Sequence, residues 1–442
     1  MFSSIRYFFS DVAYWLRAHA GRSGVFAGIA LVVIGGAFVV YAGVKSLSKD
    51  KETVTAPAPA AVVKTETRVV EPKDLGFPAF ATRNTTRVSG ADPAADAAGV
   101  ALATFPSSAS GRGPTAVSLV NGDDWADAIA ASSLIAEPTR IPILLSDGDQ
   151  LGELTTNAIE ALAPQGSPAT DQAQLLEIGS APSASGLKTK KLGGADDAET
   201  AAAIAEERAA LTGSDPDHVI VTSLDESGYA MPAAAWAARS GDPVLFTEKD
   251  SVPQATLDVI KKFKSTPVYV LGPESVVSAK AVKQLAKVAV DVQQVGEEGP
   301  VENAIAFARY SDGDFGWNIN DPGHGFVIAN SHRPSDAGGA AGLSGSGNWG
   351  PLLITDDAEK LPKPLGSYLL DLKPGYADDP TRAVYNHVWV IGDESALSVP
   401  AQARVDELAE LAQISSPSTT PAPAGGTPPK QSDQGKDQAA NK

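Results

Sequence analysis

One stretch of this chain occurs three times, and that repetition limits the fold more than any other feature. Arg87 begins RVSGADPAADAAGVALA, Lys191 begins KLGGADDAETAAAIAEE, and Gln294 begins QVGEEGPVENAIAFARY. Gly90, Gly194 and Gly296 within them fall 104 and 102 residues apart. A second phrase recurs in step: TAVSLVNGDDWADAIAASSLIAEPTRIPILLS from Thr115, HVIVTSLDESGYAMPAAAWAARSGDPVLFT from His218, and GFVIANSHRPSDAGGAAGLSGSGNWGPLLIT from Gly325. A third closes each unit: LLEIGSAPS from Leu175, VYVLGPESVVS from Val268 and VWVIGDESALS from Val388. Three ordered matches in three units mark one structural unit of about a hundred residues used three times. The chain's 442 residues accommodate about three compact units.

Within each unit the apolar runs are short and uninterrupted. VSLV, PILL, VIVT, PVLF, VYVL, FVIA and VWVI do not alternate polar with apolar residues, which is the pattern of parallel strands buried on both faces. Helical stretches separate them, at 124–136, 151–162, 196–210, 252–263 and 400–413. Strand, helix, strand, helix predicts an α/β class built of three tandem βαβ-type repeats with helices on both sheet faces. Pro253 and Pro400 suit first-turn positions of helices. The repeats are placed at 81–187, 188–291 and 292–414.

Outside the repeats the chain changes character. Residues 24–44, GVFAGIALVVIGGAFVVYAGV, carry no charge over 21 residues, enough to cross a bilayer as a helix. A cleaved signal peptide is the alternative, but signal cores span about 7–15 residues close behind a short basic region. An uncleaved anchor, one transmembrane helix, is therefore expected. Before it, residues 1–23 place Ile5, Phe8, Phe9, Val12, Trp15 and Leu16 at helical spacing, as in a juxtamembrane amphipathic segment; an unstructured tail is the alternative. Arg6, Arg17 and Arg22 precede the span, and Lys45, Lys49 and Lys51 follow it, so charge does not orient it. Residues 45–80 read as an Ala/Pro-rich linker, and 415–442 as a tail that cannot fold alone.

Charge and composition narrow the function. The net charge of the whole chain is −18, and residues 1–64 contribute +4, so the remainder carries −22. Such a surface repels a phosphate backbone and disfavours nucleic acid as a partner. No cysteine is present, which excludes disulfides, thiolate metal sites and a cysteine nucleophile.

The phrases resemble the bacterial cell wall binding repeat type 2 family, whose pattern runs approximately R-[IL]-x-G-x-D-R-Y-x-T-A, then V-x-[IL]-A-[ST]-G-x-x-[FY]-x-D-A-L-x-[AS], then P-[IL]-L-L and V-x-[IL]-[IL]-G-G. Asn121-Gly122-Asp123-Asp124-Trp125-Ala126-Asp127-Ala128-Ile129-Ala130 carries the second element and Pro142-Ile143-Leu144-Leu145 the third. The resemblance covers about residues 85–414. It implies three α/β units packed with pseudo-threefold symmetry, a cell-wall polymer or another envelope protein as partner, and residues 45–442 outside the cytoplasm of a Gram-positive cell. By position it implies Arg87, Asn121 and Asp127 as ligand-binding candidates of the first unit. It implies no catalytic residue, metal or cofactor. One departure stands out: the Arg-Tyr pair of the pattern is Pro93-Ala94 in the first unit and Asp197-Ala198 in the second, with Gly299-Pro300 or its neighbours in the third.

Other motifs keep two readings. Asp123, Asp124 and Asp127 either coordinate a divalent cation or cap a helix and complement its dipole. The stretch Gly338–Gly345 either cradles phosphate or lets a helix approach a neighbour closely; it lacks the Lys-Ser/Thr of a Walker loop. Asp147-Gly148-Asp149 and Asp312-Gly313-Asp314 read as turns. Trp125, Trp236, Trp317, Trp349 and Trp389 either stack on sugars or fill the core. His324 and His332 are separated by a whole strand and form no i, i+4 metal pair. The expectation is a non-enzymatic wall-binding or envelope scaffold protein. A protein-interaction scaffold and a wall-modifying hydrolase are the alternatives.

Overall fold

The computed structural model describes residues 79–105, 113–346 and 350–414. The amphipathic segment 1–23, the span 24–44, nearly all of the linker 45–80, the tail 415–442 and Trp349 lie outside the described residues. Among the described residues, no helix is long and apolar enough to cross a membrane.

The chain opens with β1 (Ala79–Ala81), β2 (Thr85–Val88) and α1 (Pro93–Thr104). Next come β3 (Val117–Asn121), α2 (Trp125–Ala131), β4 (Ile143–Ser146), α3 (Glu153–Leu162), β5 (Leu175–Ile178) and β6 (Thr189–Leu192). The second set is α4 (Asp197–Thr212), β7 (Val219–Ser223), α5 (Ser227–Ser240), β8 (Val244–Thr247), α6 (Gln254–Lys262), β9 (Val268–Leu271), α7 (Ala279–Leu285) and β10 (Val292–Val295). The third set is α8 (Pro300–Arg309), β11 (Gly325–Asn330), α9 (Asp336–Gly345), β12 (Leu352–Thr355), α10 (Lys363–Asp371), β13 (Gly375–Tyr376), β14 (His387–Ile391), α11 (Val399–Ala409) and β15 (Ala412–Gln413). The apolar runs of the sequence are the strands, and every residue of β3, β7 and β11 is buried.

Three parallel sheets result, with orders β4-β3-β5-β6, β8-β7-β9-β10 and β12-β11-β14-β2. They divide the chain out of step with the sequence phrases. The strand that opens each phrase pairs into the sheet of the unit before it: β6 beside β5, β10 beside β9, and β2 beside β14. The expected repeats at 188–291 and 292–414 each begin at such a strand. A period fixes the spacing of a repeat but leaves its phase open. The third sheet is thus completed by the first parallel strand of the described chain, with Arg87 opposite Val390. Its outer edge is covered by β1, paired antiparallel to β2, which protects an otherwise open edge.

The fourth strands have sequences TKKL, VQQV and TTRV, without an apolar run. β6 and β10 are edge strands and leave most residues partly exposed, so one-sided burial hides them from a hydrophobic pattern.

Two kinds of helix cover the sheets. The outer helices α3, α6 and α10 bury a single stripe each, such as Thr155, Ala158, Ile159 and Leu162, at the spacing of one helix face. The central helices α2, α5 and α9 follow the first strand of each sheet, pack on one another, and are buried nearly all round. Their alanines and glycines permit this. A Cβ on Gly338 would lie 2.4 Å from the Ala128 carbonyl oxygen, and one on Gly345 would lie 2.6 Å from that of Ala238. The Gly338–Gly345 stretch is therefore a helix-packing surface. The Asp-Gly-Asp sequences are turns, closed by the Asp147–Gln150 and Asp312–Phe315 bridges.

At the base of the second sheet, His218 joins two units. Its Nδ1 lies 3.3 Å from Asp242 Oδ2 and its Nε2 lies 3.3 Å from Asp314 Oδ1. Tyr269 stacks on Phe315 at 3.6 Å beside it, and Trp236 Nε1 donates to Asp242 at 2.7 Å. Burial alone would lower the His218 pKa, but Asp242, Asp314 and Asp217 together hold it above the usual histidine value.

Candidate functional site

In an open parallel sheet, ligands bind outside the carboxyl ends of the strands where the strand order reverses. Here the chain leaves β3 for β4 on one side and returns to β5 on the other, so the reversal lies between β3 and β5, and equivalently at β7/β9 and β11/β14. Three crevices follow, each at the junction with the next unit.

The floor of each crevice is a side chain that turns the strand into the central helix. Asn121 Oδ1 accepts the Asp123 N–H at 3.0 Å, and its Nδ2 donates to Ser180 Oγ at 3.1 Å. Asn330 accepts from His332 at 2.9 Å and donates to the Ala396 carbonyl at 2.8 Å. Ser223 Oγ accepts from Asp225 and Glu226 at 3.0 and 3.2 Å. The same local need, a backbone N–H freed just past the strand end, selects a short polar side chain each time. On the opposite wall Asp92 and Asp196, the acids of the first two opening phrases, cap α1 and α4 by accepting from Ala95 and Glu199, both at 2.8 Å.

Six residues after the floor residue come Asp127, Tyr229 and Asp336, in equivalent places on α2, α5 and α9. The junctions treat these positions differently. Between units two and three, Tyr229 Oη accepts the Gly299 N–H at 2.8 Å and Asn303 Nδ2 donates to the Tyr229 carbonyl at 3.3 Å, with no ion involved. Between units three and one, Arg333 lies between two buried carboxylates. Its Nη2 is 2.5 Å from Asp96 Oδ2 and its Nε is 2.9 Å from Asp336 Oδ2, poorly aligned for a hydrogen bond. Asp96 Oδ1 also accepts the N–H groups of Gly90 and Gly392, at 2.7 and 3.3 Å. Two buried carboxylates share one guanidinium, so the pair holds a proton to higher pH than free carboxyls do. Burial, then Asp336, pushes Asp96 up to about 8; burial pushes Asp336 up to about 7 against the pull of Arg333.

Between units one and two the equivalent of Arg333 is Asp124. Asp124 caps α2, accepting the Asp127 N–H at 3.2 Å, and it faces Asp127 and Asp197. One carboxylate oxygen from each of the three lies within 4.8 Å of the others. Asp127 is 2% exposed and its Oδ1 has no hydrogen-bond partner. Burial first, then the charges of Asp124 and Asp197, pushes its pKa up to about 8. Asp197 is also raised, by burial, Asp124 and Asp196.

The structure brings Asn121 and Asp127 into the same crevice but not Arg87. Arg87 is fully buried at the back of the third junction. Its Nε donates to Gln402 Oε1 at 2.8 Å, its Nη1 to the Gly392 and Asp393 carbonyls at 2.7 and 2.8 Å, and its Nη2 to the Leu397 carbonyl at 2.6 Å. A guanidinium so enclosed serves the chain itself. Sequence reasoning missed Arg333, Asp96 and Asp336 as a set, because the three come from positions 96 and 333–336, far apart in the chain. Trp236 is buried in the core, and Trp125 packs edge-on against Phe246.

Comparison with known proteins adds the following. Residues 191–282 match the family model described as cell wall binding domain 2 (CWB2). The N-acetylmuramoyl-L-alanine amidase LytC of Bacillus subtilis (strain 168) is 29% identical over 165 residues, 36% of this chain and 31% of LytC. Cwp6 from Clostridium difficile superposes with a TM-score of 0.57 at 20% identity, over 74% of this chain and 48% of Cwp6. Cwp8 from Clostridium difficile gives 0.56 at 19%, over 74% of this chain and 52% of Cwp8. This chain therefore spans about half the length of the two solved structures and less of LytC. The two structural likenesses establish a shared α/β fold. The match to the family model begins at Lys191, inside β6, and so follows the sequence phrase rather than the sheet.

Proposed function

We propose that this chain is a non-enzymatic binding protein of the bacterial cell wall, holding three α/β units outside the cytoplasm on a stalk anchored by residues 24–44. The observation that carries the reading is the match of residues 191–282 to a cell wall binding domain, on a fold shared with Cwp6 and Cwp8. The crevices support binding rather than chemistry. Their amides, hydroxyls and carboxylates are largely committed to turning strands into helices and joining units, as Asn121, Tyr229 and Asp96 show.

The acidic surface shapes how such binding works. A net charge of −22 beyond residue 64 repels an anionic polymer at long range, but the repulsion is screened over about 8–10 Å. Recognition then falls to short-range contacts, within the distance over which the repulsion is screened. The apolar, uncharged run at 24–44 supports the anchor.

Co-sedimentation of the full chain, in mild detergent, with purified wall sacculi tests the reading. Retention on intact sacculi is expected, with no release of soluble fragments on prolonged incubation. Absence of retention overturns wall binding in favour of a scaffold for other envelope proteins. Soluble products overturn the non-enzymatic role.

A further inference from the structure

We propose that the junction between units one and two is a binding site for one divalent cation of the calcium class, held by the carboxylates of Asp124, Asp127 and Asp197. The three donors come from two units. Asp124 and Asp127 stand at the start of α2, and Asp197 opens α4. Their oxygens lie within 4.8 Å of one another, close enough for all three to reach one ion at about 2.4 Å. Magnesium keeps most of its water and is usually held by one or two carboxylates, so three carboxylates suit calcium better. With no sulfur or imidazole in the set, zinc is a poor match.

The acids alone would not make a site. Asp127 supplies the independent observation: it is almost wholly buried, and its Oδ1 meets no donor from the protein. A polar atom left in that state costs free energy unless a partner arrives. The molecule's own repetition shows what the partner is. At the third junction the residue equivalent to Asp127 is Asp336, and Arg333 supplies its positive charge. At the second junction the residue is Tyr229, which is neutral and needs none. At the first junction the acid persists, while the position of Arg333 is Asp124. An internal cation has been exchanged for another ligand to an external one.

Access and remaining coordination are also present. Asp124 and Asp197 are only partly buried, so the cluster opens to solvent. Asp197 also lines a cavity of about 290 Å³ with Asp196, Leu224, Glu248 and Ser251, which gives solvent a way to that side of the cluster. A cation here would clamp unit one to unit two. The site stands independently of wall binding.

The test uses the full chain in detergent, stripped with chelator and titrated with Tb³⁺ and then Ca²⁺. Trp125, next to Asp124 in the chain, serves as the sensitiser of Tb³⁺ luminescence. A saturable signal at one ion per chain is expected, displaced by Ca²⁺. Ca²⁺ at about a hundredfold excess over its Kd should raise the melting temperature by roughly 3–5 °C. Asp197→Asn, at a half-buried position where folding is tolerant, should weaken Ca²⁺ binding at least tenfold. Asp124→Arg, which recreates the arrangement of the third junction, should abolish the Ca²⁺ response while leaving the chelated protein at least as stable as wild type. The proposal is overturned if wild type shows no saturable binding, or if the Ca²⁺ response survives both substitutions.

Discussion

Replacing Arg87 by Ala separates a structural arginine from a ligand-binding one. The side chain is fully buried and makes four hydrogen bonds at 2.6–2.8 Å, all to residues between Gly392 and Gln402. Burial lowers its pKa, with Glu394, Asp393 and Asp96 opposing, and the guanidinium remains charged at any physiological pH. A hydrogen bond to a charged group contributes about 1.5–3 kcal/mol, and such contributions do not add fully. Removing the group strands three carbonyls and Gln402 Oε1 away from water, and the usual cost of breaking a buried charged network is about 3–5 kcal/mol. For a folded region of this size that lowers the melting temperature by about 5–8 °C. Arg83 is the matched control. Its exposed ion pair with Glu410 contributes at most about 0.5 kcal/mol, so Arg83→Ala should melt close to wild type. The assay is thermal and urea unfolding of both variants, with hydrogen exchange read at 387–392. Faster exchange there is expected for Arg87→Ala alone. An Arg87→Ala protein that melts like wild type yet loses retention on sacculi would refute the reasoning and return Arg87 to the ligand.

Arg333→Met should destabilise by about 3–5 kcal/mol at pH 8.5 and by much less at pH 5. Asp96 and Asp336 have raised folded pKa values, so their contribution is fully present below the unfolded value near 4 and is lost as pH rises through about 7–8; a loss that does not vary with pH would contradict the shared proton. His218 is raised too, so its contribution is present below about 6.5 and is lost as pH rises through its higher folded value. NMR titration should show His218 titrating above 6.5 in wild type and lower in Asp242→Asn, and unchanged midpoints would remove Asp242 as the cause. Gly338→Ala should destabilise by about 1–3 kcal/mol in urea, because its methyl group enters the Ala128 carbonyl; a neutral result would mean the central helices are not in contact.

What the sequence made legible follows from where the water is. Strands such as VSLV and VYVL are buried on both faces, so hydrophobicity alone marks them. TKKL and VQQV lie at sheet edges and carry no such mark, which is why the fourth strands, and with them the phase of the repeat, had to come from the structure. The central helices were readable as Ala- and Gly-rich segments because only small residues allow three helices to meet. The site was half legible. Asp127 announced itself as an acid at a helix start, but its neighbour Asp197 is seventy positions further on, and no spacing rule connects them. Arg87 was not legible, because an arginine at a phrase boundary has the same sequence appearance whether its partners are a polymer or the chain's own carbonyls.

The pairing of Thr85–Val88 with His387–Ile391 has a temporal consequence. The first parallel strand of the described residues finds its neighbour only after some three hundred more residues have been synthesised. Loop closure over that distance is slow, since contacts remote in sequence delay folding. Until the last repeat arrives, the newborn chain carries an unfinished seam at both ends. Any chain halted before residue 387 would leave the hydrogen-bonding edge of Thr85–Val88 without its parallel neighbour.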